Sequence, residues 1–128
     1  MSDNDARSLR QRQVLFARLL PRLIDKAFEL GLEVTMADGS IDTPRHYVSP
    51  DSGKIETGRD AVHLEGGCHY KRLAQDINLF RGGDWITDGG DPVWAKLAIY
   101  WEGLDSLCTS GWRFGDSNHF SVTHGGMK

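Results

Sequence analysis

The sequence predicts a small α+β protein, in which an N-terminal helix and a second helix pack on an antiparallel sheet. Two stretches carry apolar residues at helical spacing, and other short runs have the composition of strands, two of them joined by a hairpin turn. The chain of 128 residues is long enough for one modest core and too short for two. Because no internal repeat, low-complexity tract or linker interrupts it, we treat residues 1–128 as one domain.

The first helix is predicted over residues 8–30, where apolar residues recur at spacings of three to five. Ser8, followed three residues later by Gln11, resembles a capping box that begins a helix. Gly31 is suited to end it. Pro21 lies inside the run, so we expect either a kink or two abutting helices.

A strand, a long loop and a hairpin are predicted after the first helix. Residues 32–36 alternate between polar and apolar side chains and predict a strand. Residues 38–67 are rich in glycine, proline, aspartate and serine, which predicts a long surface loop, and such loops are often functional. Residues 74–80 predict a strand that turns at residues 81–84 and returns from Trp85 as a hairpin.

The C-terminal third predicts a helix, a loop and a last strand. Asp91 is a suitable N-cap and Pro92 a suitable first helical residue. Apolar residues at helical spacing continue over residues 93–107. Residues 109–118 are expected to form a glycine-rich loop, and residues 119–123 a strand.

Composition argues against several classes of protein. The net charge of −3 leaves no basic patch of the kind that binds nucleic acid. No apolar stretch is long enough to cross a bilayer, so we expect no stable membrane insertion. The first residues are polar and acidic, so we expect no signal peptide and a protein that stays in the cytoplasm until it is released. We also expect a monomer. Cys68 and Cys108 are expected to be reduced thiols.

Histidine and aspartate side chains suggest a metal site. His69 and Asp76 are seven residues apart, and His119 follows much later. Two imidazoles and a carboxylate can hold zinc and leave a coordination position for water. Asp116, three residues before His119, is placed to accept a proton from that water. Taken singly, His69 could be a surface histidine and Asp76 a turn or cap carboxylate.

The spacing of His69 and Asp76 also constrains the local structure. An odd separation along one continuous strand would point the two side chains to opposite faces. They can converge only if the chain turns between them. We therefore expect His69 on a loop and Asp76 on the strand.

The sequence around these residues resembles the M15 (VanY-like) zinc peptidases, especially their short phage and prophage members. Residues 68–80 are similar to the first metal motif, His-x-x-Gly-x-Ala-x-Asp, and residues 111–120 to the second, an acidic residue three before a histidine. Two departures are Arg72, where many members have glycine, and Gly67, where serine is frequent.

The resemblance implies a small α+β zinc peptidase that cuts the stem peptides of peptidoglycan. Some members are endolysins that cleave between L-alanine and D-glutamate, and others remove a terminal D-alanine. By the same resemblance, His69, Asp76 and His119 would bind Zn²⁺ in a groove, and Asp116 would be the general base.

Three further residues are candidates for contact with substrate. Phage-type members often have an arginine before Thr-Pro that stabilises the oxyanion; here Asp42 takes that place, and the nearby Arg45 is the candidate. Trp112 is the candidate groove aromatic, and His63 a candidate groove histidine. Trp94 and Trp101, seven residues apart, have the spacing of core residues.

Two alternatives remain open at this point. The first is a D-Ala-D-Ala carboxypeptidase that uses the same metal residues on a different bond. The second is a catalytically weak homologue that holds a structural zinc and only binds the cell wall.

Overall fold

The computed structural model describes residues 5–37 and 71–125, together with the backbone of residues 47–48 and 55–56. It is an α+β fold, as the sequence predicts. The elements in chain order are α1 (Leu9–Glu29), β1 (Glu33–Met36), β2 (Tyr47–Val48), β3 (Ile55–Glu56), β4 (Ala74–Arg81), β5 (Asp84–Trp85), α2 (Pro92–Glu102), β6 (Cys108–Ser110), the 3₁₀ helix η1 (Gly111–Phe114) and β7 (His119–Val122).

Helix α1 begins at the predicted capping box. The Ser8 hydroxyl accepts a hydrogen bond from the Gln11 backbone N–H at 3.1 Å, and the Gln11 side chain accepts one from the Ser8 N–H at 2.7 Å. Gly31 follows the helix with a φ of +82°, a left-handed conformation that glycine adopts easily. One helix runs through Pro21, so the expectation of two abutting helices is wrong. Pro21 is exposed, and water can satisfy the carbonyl that it leaves without a helical partner.

Helix α2 begins as predicted and ends earlier. The Asp91 carboxylate accepts a hydrogen bond from the Val93 N–H at 3.0 Å, and Pro92 is the first helical residue. The helix stops at Glu102 rather than near Leu107, which is buried beyond the helix end. The helical spacing of apolar residues therefore extends beyond the end of α2, because the residues that follow the helix pack into the same core.

The predicted loop over residues 109–118 is wrong in its first half. Strand β6 and the 3₁₀ helix η1 occupy residues 108–114. Strand β6 exists because it pairs with β7, Cys108 lying opposite Val122. A three-residue strand has too little pattern of its own to be recognised without that partner.

Strand β4 is the centre of the antiparallel sheet. The strand order is β1-β4-β7-β6, and β5 also pairs with β4. Strand β1 covers one edge of β4 along residues 77–80, while β7 pairs with the other edge at residues 74–76 and β5 at residues 80–81. The strands predicted at residues 32–36, 74–80 and 119–123 are therefore confirmed within one residue at each end.

The predicted long loop at residues 38–67 contains a small antiparallel pair of strands. Strand β2 pairs with β3, Tyr47 lying opposite Glu56. The rest of that segment lies outside the described residues.

The core lies between the helices and one face of the sheet. Trp101 is fully buried and makes edge-to-face contacts with Phe16 and Phe120, at ring-centroid distances of 5.9 and 6.2 Å. Its indole N–H donates to the backbone carbonyls of Thr109 and Ser121, both at 3.0 Å. Trp94 is buried too, so the prediction that both tryptophans belong to the core is confirmed.

A buried arginine ties the N-terminal segment to the rest of the protein. Arg12 is 3% exposed. Its guanidinium donates to the backbone carbonyls of Asp5, Arg7 and Thr123 at 2.7–2.8 Å. Arg7 in turn forms ion pairs with Asp5 and Asp105, and its hydrogen bonds hold the pKa of Asp105 below its usual value.

No helix in the described part of the chain combines the length and apolar character needed to cross a membrane.

We predict that Arg12→Met lowers the free energy of unfolding by about 3 kcal/mol, because three partly buried carbonyls lose a charged donor that methionine cannot replace. The exposed Arg10, on the same helix, provides the matched control: Arg10→Met should change stability by less than about 0.5 kcal/mol. Urea denaturation followed by circular dichroism measures both. Equal effects of the two substitutions would contradict a special role for Arg12.

Candidate metal centre

Strand pairing places Asp76 directly beside His119. The two residues lie opposite each other in the antiparallel register of β4 and β7. Opposite residues share one face of a sheet with Cβ atoms about 5 Å apart. The Nδ1 atom of His119 lies 3.1 Å from an Asp76 carboxylate oxygen, and the side chains are 13% and 15% exposed, respectively. The pair is therefore mostly shielded from solvent and fixed by the backbone.

The turn before β7 brings Asp116 to the same place. The Asp116 N–H donates to the Gly111 carbonyl at 2.9 Å, and the Asp116 carbonyl accepts from the His119 N–H at 3.2 Å. These bonds close the chain between η1 and β7. One potential ligand atom from each of Asp76, Asp116 and His119 lies within 4.8 Å of the others. The candidate metal centre, as described, consists of these three residues.

The donor set fits a divalent transition metal. Metal bonds to imidazole nitrogen and carboxylate oxygen are about 2.0–2.2 Å long, so ligands of one ion lie within about 4.4 Å of each other. The three potential ligand atoms lie within 4.8 Å of one another, which is close to that limit. An imidazole among the donors favours zinc over calcium or magnesium, which prefer oxygen alone.

Gly111 allows the close approach that builds this centre. A Cβ atom at this position would overlap the Asp116 carbonyl oxygen and lie 2.8 Å from the His119 Cβ. Any larger residue would push the turn away from η1. The glycine of the loop predicted from sequence is therefore a packing requirement of the site.

The remaining predicted site residues are placed as follows. His69, His63 and Arg45 lie outside the described residues. Trp112 is half-buried on η1, packs against the core and has the Arg113 guanidinium 5.4 Å from its ring centroid. Cys108 is buried in β6, and burial raises the pKa of its thiol to about 12, so it is unreactive at neutral pH.

A cleft of about 450 Å³ opens beside the candidate metal centre. It lies where β7 has left one edge of β4 and β5 has not yet joined it. We call it the β4 cleft; its lining is Ile77, Asn78, Trp85, Ile86, Thr87, Gly89, Trp94 and residues 115–118. The Ser117 hydroxyl donates to the Gly89 carbonyl at 2.9 Å and joins the two loops at its wall. Because Asp116 belongs to the lining, a molecule in the cleft would reach the metal centre.

The residues of this cleft were not predicted from the sequence. Trp112 is not among its lining residues, whereas Trp85 and Asn78 are. The signal was present in the alternation of β4, which places Asp76, Asn78 and Phe80 on one face. Trp85 lies opposite Phe80 in the hairpin and therefore on that face too.

Arg72 has an unusual backbone conformation. Among the described residues it is the non-glycine residue with positive φ, at +60°. This left-handed region costs an L-residue about 1–2 kcal/mol, a cost that glycine does not have.

Comparison with models of known protein families finds no match, and a search of curated proteins finds none either.

We predict that Gly111→Ala lowers affinity for zinc at least about tenfold, because the added methyl displaces the turn that carries Asp116 and His119. Gly103→Ala is the matched control, since a Cβ there meets its nearest atom at an ordinary 3.4 Å. Calorimetric titration with zinc measures affinity, and circular dichroism checks that both variants fold. Unchanged affinity in Gly111→Ala would show that this turn does not form the metal centre.

We predict that Arg72→Gly raises the free energy of unfolding by about 1 kcal/mol, because glycine removes the left-handed strain. Lys71→Gly provides the control: with no strain to relieve, it should lower stability by up to about 1 kcal/mol. Thermal and urea denaturation measure both variants. A destabilised Arg72→Gly would contradict the assignment of strain to this residue.

Proposed function

We propose that the protein is a zinc-dependent peptidase that hydrolyses the stem peptides of bacterial peptidoglycan. The activity proposed is that of an L-alanyl-D-glutamate endopeptidase of the endolysin type, a member of the M15-like peptidases. The observation that carries the proposal is the convergence of Asp76, Asp116 and His119 beside a cleft. These are the residues that the two M15 motifs supply.

The backbone supports the same proposal. The first motif has glycine at the position of Arg72, and that residue has the left-handed φ that glycine favours. In the second motif the acidic residue stands three before the histidine, and here a hydrogen-bonded turn spans that interval from Asp116 to His119. At these two points the local geometry thus agrees with both motifs, although Arg72 departs from the first motif in residue type.

Each residue has a proposed role. His69, Asp76 and His119 would hold the zinc ion, which when bound would polarise the scissile carbonyl and make water acidic. Asp116 would accept the proton of the attacking water and pass it to the leaving amine. Asp116 is exposed and belongs to the cleft lining, which suits a group that must meet both water and substrate. Arg45 remains the candidate for stabilising the oxyanion.

The same exposure of Asp116 argues against a purely structural zinc. Structural sites are closed by four protein ligands, whereas catalytic sites keep one position open. A wall-binding homologue would have no use for an exposed carboxylate beside the ligands.

We propose that catalysis takes place at the cell wall after the protein is released from the cytoplasm.

We predict that Asp116→Ala keeps bound zinc but lowers kcat on purified cell wall by about 10³-fold, because a general base typically contributes 10²–10⁴-fold. Asp25→Ala, which removes an exposed carboxylate from α1, is the control and should keep full activity. A chelator should abolish the activity of the wild type, and added zinc should restore it.

Mass spectrometry of the digested wall identifies the bond that is cut, and metal analysis measures zinc in each variant. Normal turnover by Asp116→Ala would exclude it as the base. Loss of zinc from that variant would make Asp116 a ligand instead. A wild type that cuts no wall peptide would overturn the proposed function.

A further inference from the structure

We propose that the β4 cleft binds the glycan-linked end of the stem peptide, with Trp85 as the platform for the sugar ring. This inference rests on the proposed function and adds a substrate requirement to it: the enzyme prefers peptides still attached to N-acetylmuramic acid. Three observations support it, namely the exposure of Trp85, its distance from the metal centre and the uncharged lining between them.

Trp85 is held in place yet largely open to solvent. Its side chain is 59% exposed, although it lines the cleft. Its ring stacks on Phe80 with centroids 6.4 Å apart and an angle of 28° between the planes. A ring supported from behind loses little entropy on binding and offers a flat apolar surface. The C–H face of a pyranose ring is the complement of such a surface.

The spacing along β4 suits a sugar joined through one amino acid. Asp76 and Phe80 carry the metal centre and the tryptophan platform on the same face, four residues apart. At the rise of a strand this separation is roughly 13 Å. L-alanine, its lactyl link and one sugar ring together span a comparable distance from the scissile carbonyl. The platform is thus within reach of the glycan when the scissile bond is at the metal centre.

The lining between these two points is uncharged and combines apolar side chains, Ile77, Ile86 and Trp94, with polar ones. It offers the amides of Asn78 and Asn118 and the hydroxyls of Thr87 and Ser117. Such groups match the N-acetyl, hydroxyl and amide groups of the muramyl end. On the other side of the scissile bond the stem peptide carries carboxylates and an ammonium group. In the β4 cleft, the acidic Asp116 and the absence of cations from the described lining oppose binding of those carboxylates.

The test compares two substrates that differ only in the glycan. One is a disaccharide-tetrapeptide from peptidoglycan. The other is the same tetrapeptide with an acetyl group on its N-terminus, so that in both the L-alanine nitrogen is an amide and not an ammonium group. Trp85→Ala should lower kcat/KM about tenfold on the glycan-linked substrate and less than about twofold on the acetylated one. Trp85→Phe, which keeps an aromatic ring, should retain most of the activity.

Ile99→Ala is the matched control, because Ile99 is 62% exposed on α2 and does not line the cleft. It should leave both rates unchanged. An equal loss on both substrates in Trp85→Ala would show that Trp85 contacts the peptide, and no loss on either substrate would show that it contacts neither part. Either result overturns the inference. The proposed function stays intact in both cases as long as the wild type cleaves the substrates. If the wild type cleaves neither substrate, the proposed function itself fails.

Discussion

The candidate site depends on one backbone constraint, the register between β4 and β7. That register sets Asp76 opposite His119 and closes the turn that carries Asp116. Side chains alternate along a strand, so a slip of one residue would turn Asp76 toward the core and leave His119 without its neighbour. Such a slip is opposed by the core itself, because Ile77 and Phe120 are fully buried and would be forced outward. Hydrophobic packing on one face of the sheet thus fixes the geometry of the polar groups on the other.

Strand β4 contributes to the core with one face and to the candidate site with the other. Its core-facing residues, Ile77 and Leu79, are fully buried, while Asp76, Asn78 and Phe80 face the other way. The cleft arises from the same strand, because its two partners on one edge, β7 and β5, leave a gap between them. A substrate in that gap would lie along a rigid edge rather than on a loose loop, which favours accurate placement of the scissile bond.

Local signals in the sequence were sufficient for the helices and for the strands of the hairpin. Ser8 with Gln11, and Asp91 with Pro92, are short-range chemistry, so they could be read directly. The end of α2, strand β6 and the β4 cleft could not, because each depends on a partner far along the chain. Asp116 and His119 were close in sequence, but their meeting with Asp76 required the β4–β7 pairing. The position of Trp85 in the cleft was not predicted, because its exposure depends on tertiary structure.

The candidate metal centre also brings together like charges, which affects the stability of the fold. Carboxylates of Asp76 and Asp116 held within 4.8 Å repel each other when both are ionised. The fold tolerates this because strand pairing and the Gly111 contact set their positions independently of charge. A divalent cation held by Asp76 would replace this repulsion with attraction to both carboxylates, and an ion that binds the folded state alone stabilises that state. The same arrangement that would activate water would therefore couple occupancy of the site to stability of the β4–β7 pairing. Zinc would act here on the fold as well as on the substrate, and strand register, metal affinity and catalysis would change together.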